Sequence, residues 1–82
     1  MNRTYTHMVS YKNFSGSWKQ EFLIGENAAR DFANRCCKDE NNCIVELLSH
    51  GRHGYTSVRK VTRHHKGSPL WRDDVAKKDF VV

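Results

Sequence analysis

Hydrophobic and polar positions alternate with a period of two along the first part of the chain. In residues 5–12, YTHMVSYK, one face would carry Tyr5, His7, Val9 and Tyr11. Such alternation, rich in aromatic and β-branched residues, predicts a strand. The turn-forming stretch NFSGS follows, and WKQEFLI then resumes the alternation. One face of this second strand would carry Trp18, Gln20, Phe22 and Ile24. The sequence therefore predicts a β-hairpin.

The period changes to that of a helix in GENAARDFANRCCKDENN. Glu26 near the start and Lys38 near the end complement the helix dipole. The loop-like residues DENN should end the helix. Apolar residues recur at i, i+3, i+4, i+7 and i+8, namely at Ala29, Phe32, Ala33, Cys36 and Cys37. This stripe predicts an amphipathic α-helix with one apolar face.

The second half of the chain reads as two more strands. CIVELLSH, residues 43–50, is apolar on both faces apart from Glu46, which suits a central strand under the helix. GRHG is a turn, and YTSVRKVTRH is the next strand. Its Val58 and Val61 are three positions apart, so either a bulge separates them or one valine is exposed. After a loop containing Pro69, the tail would form a helical turn or, through DFVV, an edge strand.

The predicted element order is β-β-α-β-β within a single domain, residues 1–82. Residues 1–4 and 73–82 are expected to be loosely ordered. This order predicts an α+β fold, a two-layer sandwich in which one helix packs on one face of an antiparallel sheet of about four strands. The expected core consists of Trp18, Phe22, Phe32, Cys36, Ile44, Val45 and Leu47.

Size and charge narrow the classes of function. A chain of 82 residues has a thin core and little room for a deep, lidded substrate pocket. Its formal net charge of +5 favours acidic partners such as nucleic acid or an acidic protein surface. The N-terminus has no apolar signal segment, and no apolar run approaches the length of a membrane span. We expect a cytoplasmic protein without a membrane partner, and its three cysteines suit a reducing compartment.

Metal binding and catalysis both have weak sequence support. The potential metal ligands show no C-x2-C spacing, and two of them, Cys36 and Cys37, belong to the apolar stripe. A histidine-dependent ribonuclease using His64 or His65 is an alternative, but nothing in the sequence fixes a mutual geometry. Motifs for a nucleophile or for nucleotide hydrolysis are absent from the sequence. We expect no metal, no cofactor and no catalytic residue.

The stretch SVRKVTRHHKG, residues 57–67, is the most basic part of the chain. Regular alternation would place Arg59 and Arg63 on one face of its strand and Lys60 on the other. Lysine and arginine there would contact phosphates, and nearby aromatic rings would stack on unpaired bases. The competing interpretation is a solvated edge strand whose charges prevent aggregation. The predicted basic ridge for nucleic acid or an acidic partner comprises Arg52, Tyr55, Arg59, Lys60, Arg63, Lys66, Trp71 and Arg72.

The pattern of WKQEFLIGENAARDFANRCC followed by CIVELLSHGRHGYTSVRKV resembles that of very small phage-encoded inhibitors. These include anti-CRISPR proteins and inhibitors of host RNA polymerase. The resemblance is one of architecture, a short antiparallel sheet with one helix, and covers about two-thirds of the chain. It implies a non-catalytic protein that inhibits a bacterial nucleic-acid-handling complex. Direct binding of DNA or RNA is the alternative, and the protein would be a monomer or a homodimer formed through an exposed strand edge.

Overall fold

The computed structural model describes residues 4–63 and the backbone of residues 72 and 73. The predicted α+β fold, with one helix beside an antiparallel sheet in the order β-β-α-β-β, is confirmed. A fifth, two-residue strand joins the edge of the sheet. The predictions for His64, His65, Lys66, Trp71 and the tail after residue 73 lie outside the described residues. In chain order the elements are β1 (His7–Asn13), β2 (Trp18–Leu23), α1 (Glu26–Lys38), β3 (Asn42–Gly51), β4 (Gly54–Thr62) and β5 (Arg72–Asp73).

The strands lie in the order β2-β1-β3-β4-β5, and every neighbouring pair is antiparallel. Strand β1 thus lies between β2 and β3. In this register Val9 is opposite Leu47, and Val45 is opposite Val61. Since directly opposite residues of an antiparallel pair share a face, these side chains form one apolar patch across three strands.

The helix covers that patch, and no helix among the described residues lies on the other face of the sheet. Val9, Val45 and Val61 are completely buried, and Leu47 nearly so. On the helix, the side chains of the predicted stripe pack against them, with Phe32 half-buried at the margin. The predicted helical stripe is therefore confirmed. Its small buried residues are Ala29, Ala33, Cys36 and Cys37.

The predicted core was wrong at β2. Trp18 remains 50% exposed and Phe22 remains 42% exposed. Both project from the face opposite the helix, because they lie opposite Lys12 and Met8 of β1, which alternate with the helix-covered Val9. Ile44 alternates with Val45 in the same way and is only half-buried.

A bulge in β4 explains the spacing of its two valines. The pairing of β3 with β4 shifts between Leu47 and Leu48, so that Leu47 lies opposite Arg59 while Leu48 lies opposite Ser57. Val58 is the extra residue and packs against the core. The bulge that the sequence left as one of two alternatives is therefore present, and Val58 and Val61 both contribute to the core.

Buried polar groups from two other segments bind the carbonyl end of α1. The Arg63 guanidinium donates a hydrogen bond through Nη2 to the Cys37 carbonyl oxygen at 3.0 Å. Asn42 donates through Nδ2 to the Cys36 carbonyl oxygen at 2.9 Å. The last carbonyls of a helix lack partners within the helix and carry partial negative charge, so a cation is favourable there. Arg63 therefore ties β4 to the helix.

Replacement of Arg63 should destabilise the fold. We expect Arg63→Met to lower the free energy of unfolding by about 1.5–3 kcal/mol, since a hydrogen bond from a charged donor is lost at a buried carbonyl. Urea unfolding followed by circular dichroism measures the change. Arg52→Met, in the exposed turn between β3 and β4, is the matched control and should change stability by less than about 0.5 kcal/mol. Equal stabilities for the two variants would contradict a capping role for Arg63.

Burial also sets the chemistry of the two helical thiols. Burial raises the pKa of Cys36 from 9.0 to about 11, with nearby Asp39 acting in the same direction. Burial likewise raises the pKa of Cys37 from 9.0 to about 12, although Arg63 and Arg59 act to lower it. Both side chains are protonated at neutral pH and serve as small apolar packing groups.

The difference between the pKa of Cys37 in the folded and in the unfolded protein predicts a loss of stability at alkaline pH. Above pH 9 the unfolded thiol of Cys37 ionises while the folded thiol keeps its proton, so the unfolded state binds fewer protons. The free energy of unfolding should therefore fall as the pH rises from 9 towards 12. We expect Cys37→Ala to show a shallower fall than the unmodified protein in urea unfolding at each pH. Parallel profiles would contradict this assignment.

Candidate nucleic-acid interface

The face of the sheet opposite α1, called here the open face, is built by simple alternation. Each strand that directs one residue at the helix directs the next residue away from it. The register then aligns these outward residues in rows across the four long strands. One row is Trp18, Lys12, Ile44 and Thr62; the next is Gln20, Ser10, Glu46 and Lys60; the third is Phe22, Met8, Leu48 and Ser57.

Four rings gather at one end of the open face. Phe22 is the central ring, with its centroid 5.7 Å from that of Tyr5 and 5.8 Å from that of Tyr55. The His50 ring contacts Tyr55 edge-on at 4.8 Å. Because His50 and Tyr55 lie directly opposite each other in β3 and β4, the ladder itself holds this pair in place. These side chains (Tyr5, Phe22, His50 and Tyr55) are called here the aromatic cluster.

A fifth ring lies at the other end of the same face. Trp18 is opposite Lys12 in the register, and the Lys12 ammonium lies 5.8 Å from the centre of the Trp18 ring. A cation at this distance is attracted to the electron-rich face of the indole. Since Trp18 and Phe22 are separated by four positions of one strand, at about 3.3 Å per residue, their Cα atoms are about 13 Å apart. The open face thus presents exposed rings at both ends of β2.

Charged side chains lie in two of the three rows of the open face. Lys12 and Lys60 belong to the open face, and Glu46 lies directly opposite Lys60. Met8 and Ser10, in β1, are both buried despite facing away from the helix. The open face is therefore polar in its middle row and carries aromatic rings at both ends.

Two residues of the predicted basic ridge lie on the opposite side of the sheet. Arg59 and Arg63 are only 6% and 7% exposed. Arg59 is opposite Leu47 on the face that the helix covers, and Arg63 binds the helix terminus. The prediction that these arginines form an exposed ridge is therefore wrong. The competing interpretation, a solvated edge strand, is also wrong for these two arginines.

The other ridge residues are dispersed. Arg52 is exposed in the turn after β3, while Tyr55 and Lys60 are half-buried on the open face. Lys66 and Trp71 lie outside the described residues, and only the backbone of Arg72 is described, where it pairs with Thr62. The structure therefore brings two of the predicted residues, Tyr55 and Lys60, onto one surface.

Sequence reasoning missed Tyr5, Trp18, Phe22, His50 and Lys12 as members of a surface site. The alternation did place Trp18 and Phe22 together on one face. It did not reveal that this face lies away from the only helix of the described chain. One signal could have revealed it: the strands carry apolar residues on both faces of the sheet, whereas the pattern predicts a single helix, which can cover only one face.

Metal-binding geometry is not present in the part of the chain that the structure describes. No group of three or more histidine, cysteine, aspartate or glutamate side chains lies together there. His50 belongs to the aromatic cluster and His53 lies in the exposed turn after β3. The candidate ribonuclease residues His64 and His65 lie outside the described residues.

A polar cleft of about 310 Å³ lies where the β1–β2 turn meets the loop after α1. Two of the side-chain oxygens that line it accept hydrogen bonds from the backbone. Asn13 Oδ1 accepts hydrogen bonds from the backbone N–H groups of Ser15 and Ser17, and Asp39 Oδ1 accepts one from the Asn41 N–H. These contacts shape the two turns that line the cleft.

Comparison of the chain with protein-family models, curated proteins and solved structures finds no match in any of the three. The resemblance to small phage inhibitors therefore stays a prediction based on architecture. Within the described ranges, no helix is long enough and apolar enough to cross a membrane.

Proposed function

We propose that the protein is a non-catalytic binding module whose open face holds single-stranded nucleic acid. The observation that supports this most directly is the set of exposed rings at two ends of one sheet face, Phe22 with its neighbours and Trp18. Bases of a single strand stack on such rings whatever their sequence, because every base has a flat π face. A sheet that displays aromatic side chains is one of the recurrent surfaces for this purpose.

Electrostatics supports the same partner. The chain carries a formal net charge of +5; on the open face Lys12 lies beside Trp18, and Lys60 lies in the middle row, opposite Glu46. Their ammonium groups would neutralise phosphates of a strand that runs across the sheet, with the bases directed at the rings. The separation of about 13 Å between the Cα atoms of Trp18 and Phe22 is short enough for both ends of the open face to hold bases of one short strand.

The second candidate is that the open face binds a protein partner, as an inhibitor of a bacterial nucleic-acid-handling complex would. Ile24, 47% exposed at the end of β2, favours it because an aliphatic side chain contributes little to base stacking. Exposed Trp, Tyr and Phe are also enriched at protein interfaces. This candidate predicts capture of a defined protein complex that survives nuclease treatment.

The direct test is binding to a labelled single strand of about twelve nucleotides, either oligo(dT) or oligo(rU), followed by fluorescence anisotropy. We expect Phe22→Ala combined with Tyr55→Ala to weaken binding by tenfold or more, since stacking contributes about 1–3 kcal/mol per base. Lys60→Gln should weaken binding less and reduce the salt dependence by about one counterion. A duplex of the same length should bind more weakly.

The matched control for charge is Lys38→Gln, because Lys38 is exposed on the helix, away from the open face. It should leave the affinity close to that of the unmodified protein. Urea unfolding checks that each variant is folded. Loss of affinity in Lys38→Gln equal to that in Lys60→Gln, or full binding by the double aromatic variant, would contradict the open face as the site. Absence of single-strand binding together with a nuclease-resistant protein complex would favour the second candidate.

A further inference from the structure

Strand β2 forms an edge of the sheet that no other described strand covers. It pairs with β1 on one side only, and five of its six residues are exposed. It contains no bulge in its pairing with β1 and no proline. The opposite edge of the sheet is different, because β4 carries a bulge and pairs with β5 at Val61 and Thr62. Strand β2 is therefore the regular edge of this sheet.

The hairpin fixes which backbone groups of β2 point outward. Asn13 donates its N–H to the Ser17 carbonyl oxygen at 3.1 Å, and Gly16, with φ of 98°, closes the turn. In an antiparallel ladder the hydrogen-bonded pairs alternate with non-hydrogen-bonded pairs. Asn13 and Ser17 form a hydrogen-bonded pair, so the next hydrogen-bonded residues of β2 are Lys19 and Glu21, whose backbone N–H and C=O groups point at β1. The N–H and C=O groups of Trp18, Gln20 and Phe22 consequently point away from the sheet.

These outward groups match a second copy of the same strand. If two β2 strands run antiparallel with Gln20 opposite Gln20, the hydrogen-bonding residues Trp18 and Phe22 of one copy meet Phe22 and Trp18 of the other. Every outward group then has a partner in the ladder. This arrangement has two-fold symmetry and forms a closed dimer.

Side chains in this register are also complementary. Lys19 of each copy lies opposite Glu21 of the other, in a non-hydrogen-bonded pair, where side chains approach most closely. Two opposite-charge pairs therefore form on one face of the joined sheet. On the open face two Trp18–Phe22 pairs form, and aromatic cross-strand pairs are favourable.

We propose that the protein forms a symmetric homodimer through β2, with Gln20 on the two-fold axis and Lys19 opposite Glu21 of the second copy. The two sheets become one continuous antiparallel sheet, and the two open faces become one surface. The proposal concerns the edge of the sheet and does not depend on nucleic-acid binding.

The test is the mass of the purified protein without nucleic acid, measured by sedimentation equilibrium over a concentration series at physiological salt. The protein should show reversible association from 9.6 kDa towards twice that mass. Lys19→Glu alone, or Glu21→Lys alone, places like charges opposite each other twice and should weaken association about tenfold or more. A mixture of the two single variants should associate as a heterodimer, because each charge then meets its opposite.

Lys38→Glu is the control for net charge and should associate as the unmodified protein does. A second measurement uses Gln20→Cys, because residues opposite each other in a hydrogen-bonded pair have Cα atoms about 5.5 Å apart, within reach of a disulfide. Mild oxidation should cross-link this variant to a dimer. Lys19→Cys should cross-link far less, because residue 19 of one copy lies opposite residue 21 of the other, two positions away from the second cysteine. A monomeric mass at all concentrations, or a dimer that is insensitive to both charge reversals, would overturn the proposal.

Discussion

One helix of thirteen residues packs on a sheet of four long strands, and most other features of the molecule follow from that imbalance. The helix buries the centre of one face, where Val9, Val45 and Leu47 meet its small side chains. It cannot also cover the other face or reach the edge at β2. In the described part of the chain this leaves a thin core, an open aromatic face and an edge strand, β2, whose side chains are exposed on both faces of the sheet.

The same imbalance makes polar contacts important for holding the helix in place. Alanine and cysteine side chains bury little apolar surface, so α1 gains less from packing than a leucine-rich helix would. Arg63 and Asn42 compensate by binding the carbonyl oxygens of its last turn. Two arginines from the most basic stretch of the sequence are thus used inside the fold, and the positive charge on the rows of the open face comes from Lys12 and Lys60.

The elements and their order could be predicted because each has a local signal. The stripe from Ala29 to Cys37 specified the helix and its buried face, and the NFSGS turn specified the hairpin. The site could not be predicted from such signals. Which face of Trp18 and Phe22 is buried depends on where α1 packs, and the burial of Arg59 depends on a bulge one residue earlier. Both are properties of the tertiary structure, and one extra residue in a strand is enough to move a charge to the other face.

The most direct measurement of the role of the open face is an NMR titration of the protein with a short single strand, following side-chain signals. Backbone amides report on both faces of a sheet, whereas side chains report on one. We expect the ring signals of Phe22 and Tyr55 and the methyl signal of Met8 to shift, while the methyl signals of Ala29 and Val45 on the helix-covered face stay unchanged. Shifts confined to the outer surface of α1, or no shifts at saturating concentrations, would contradict binding at the open face.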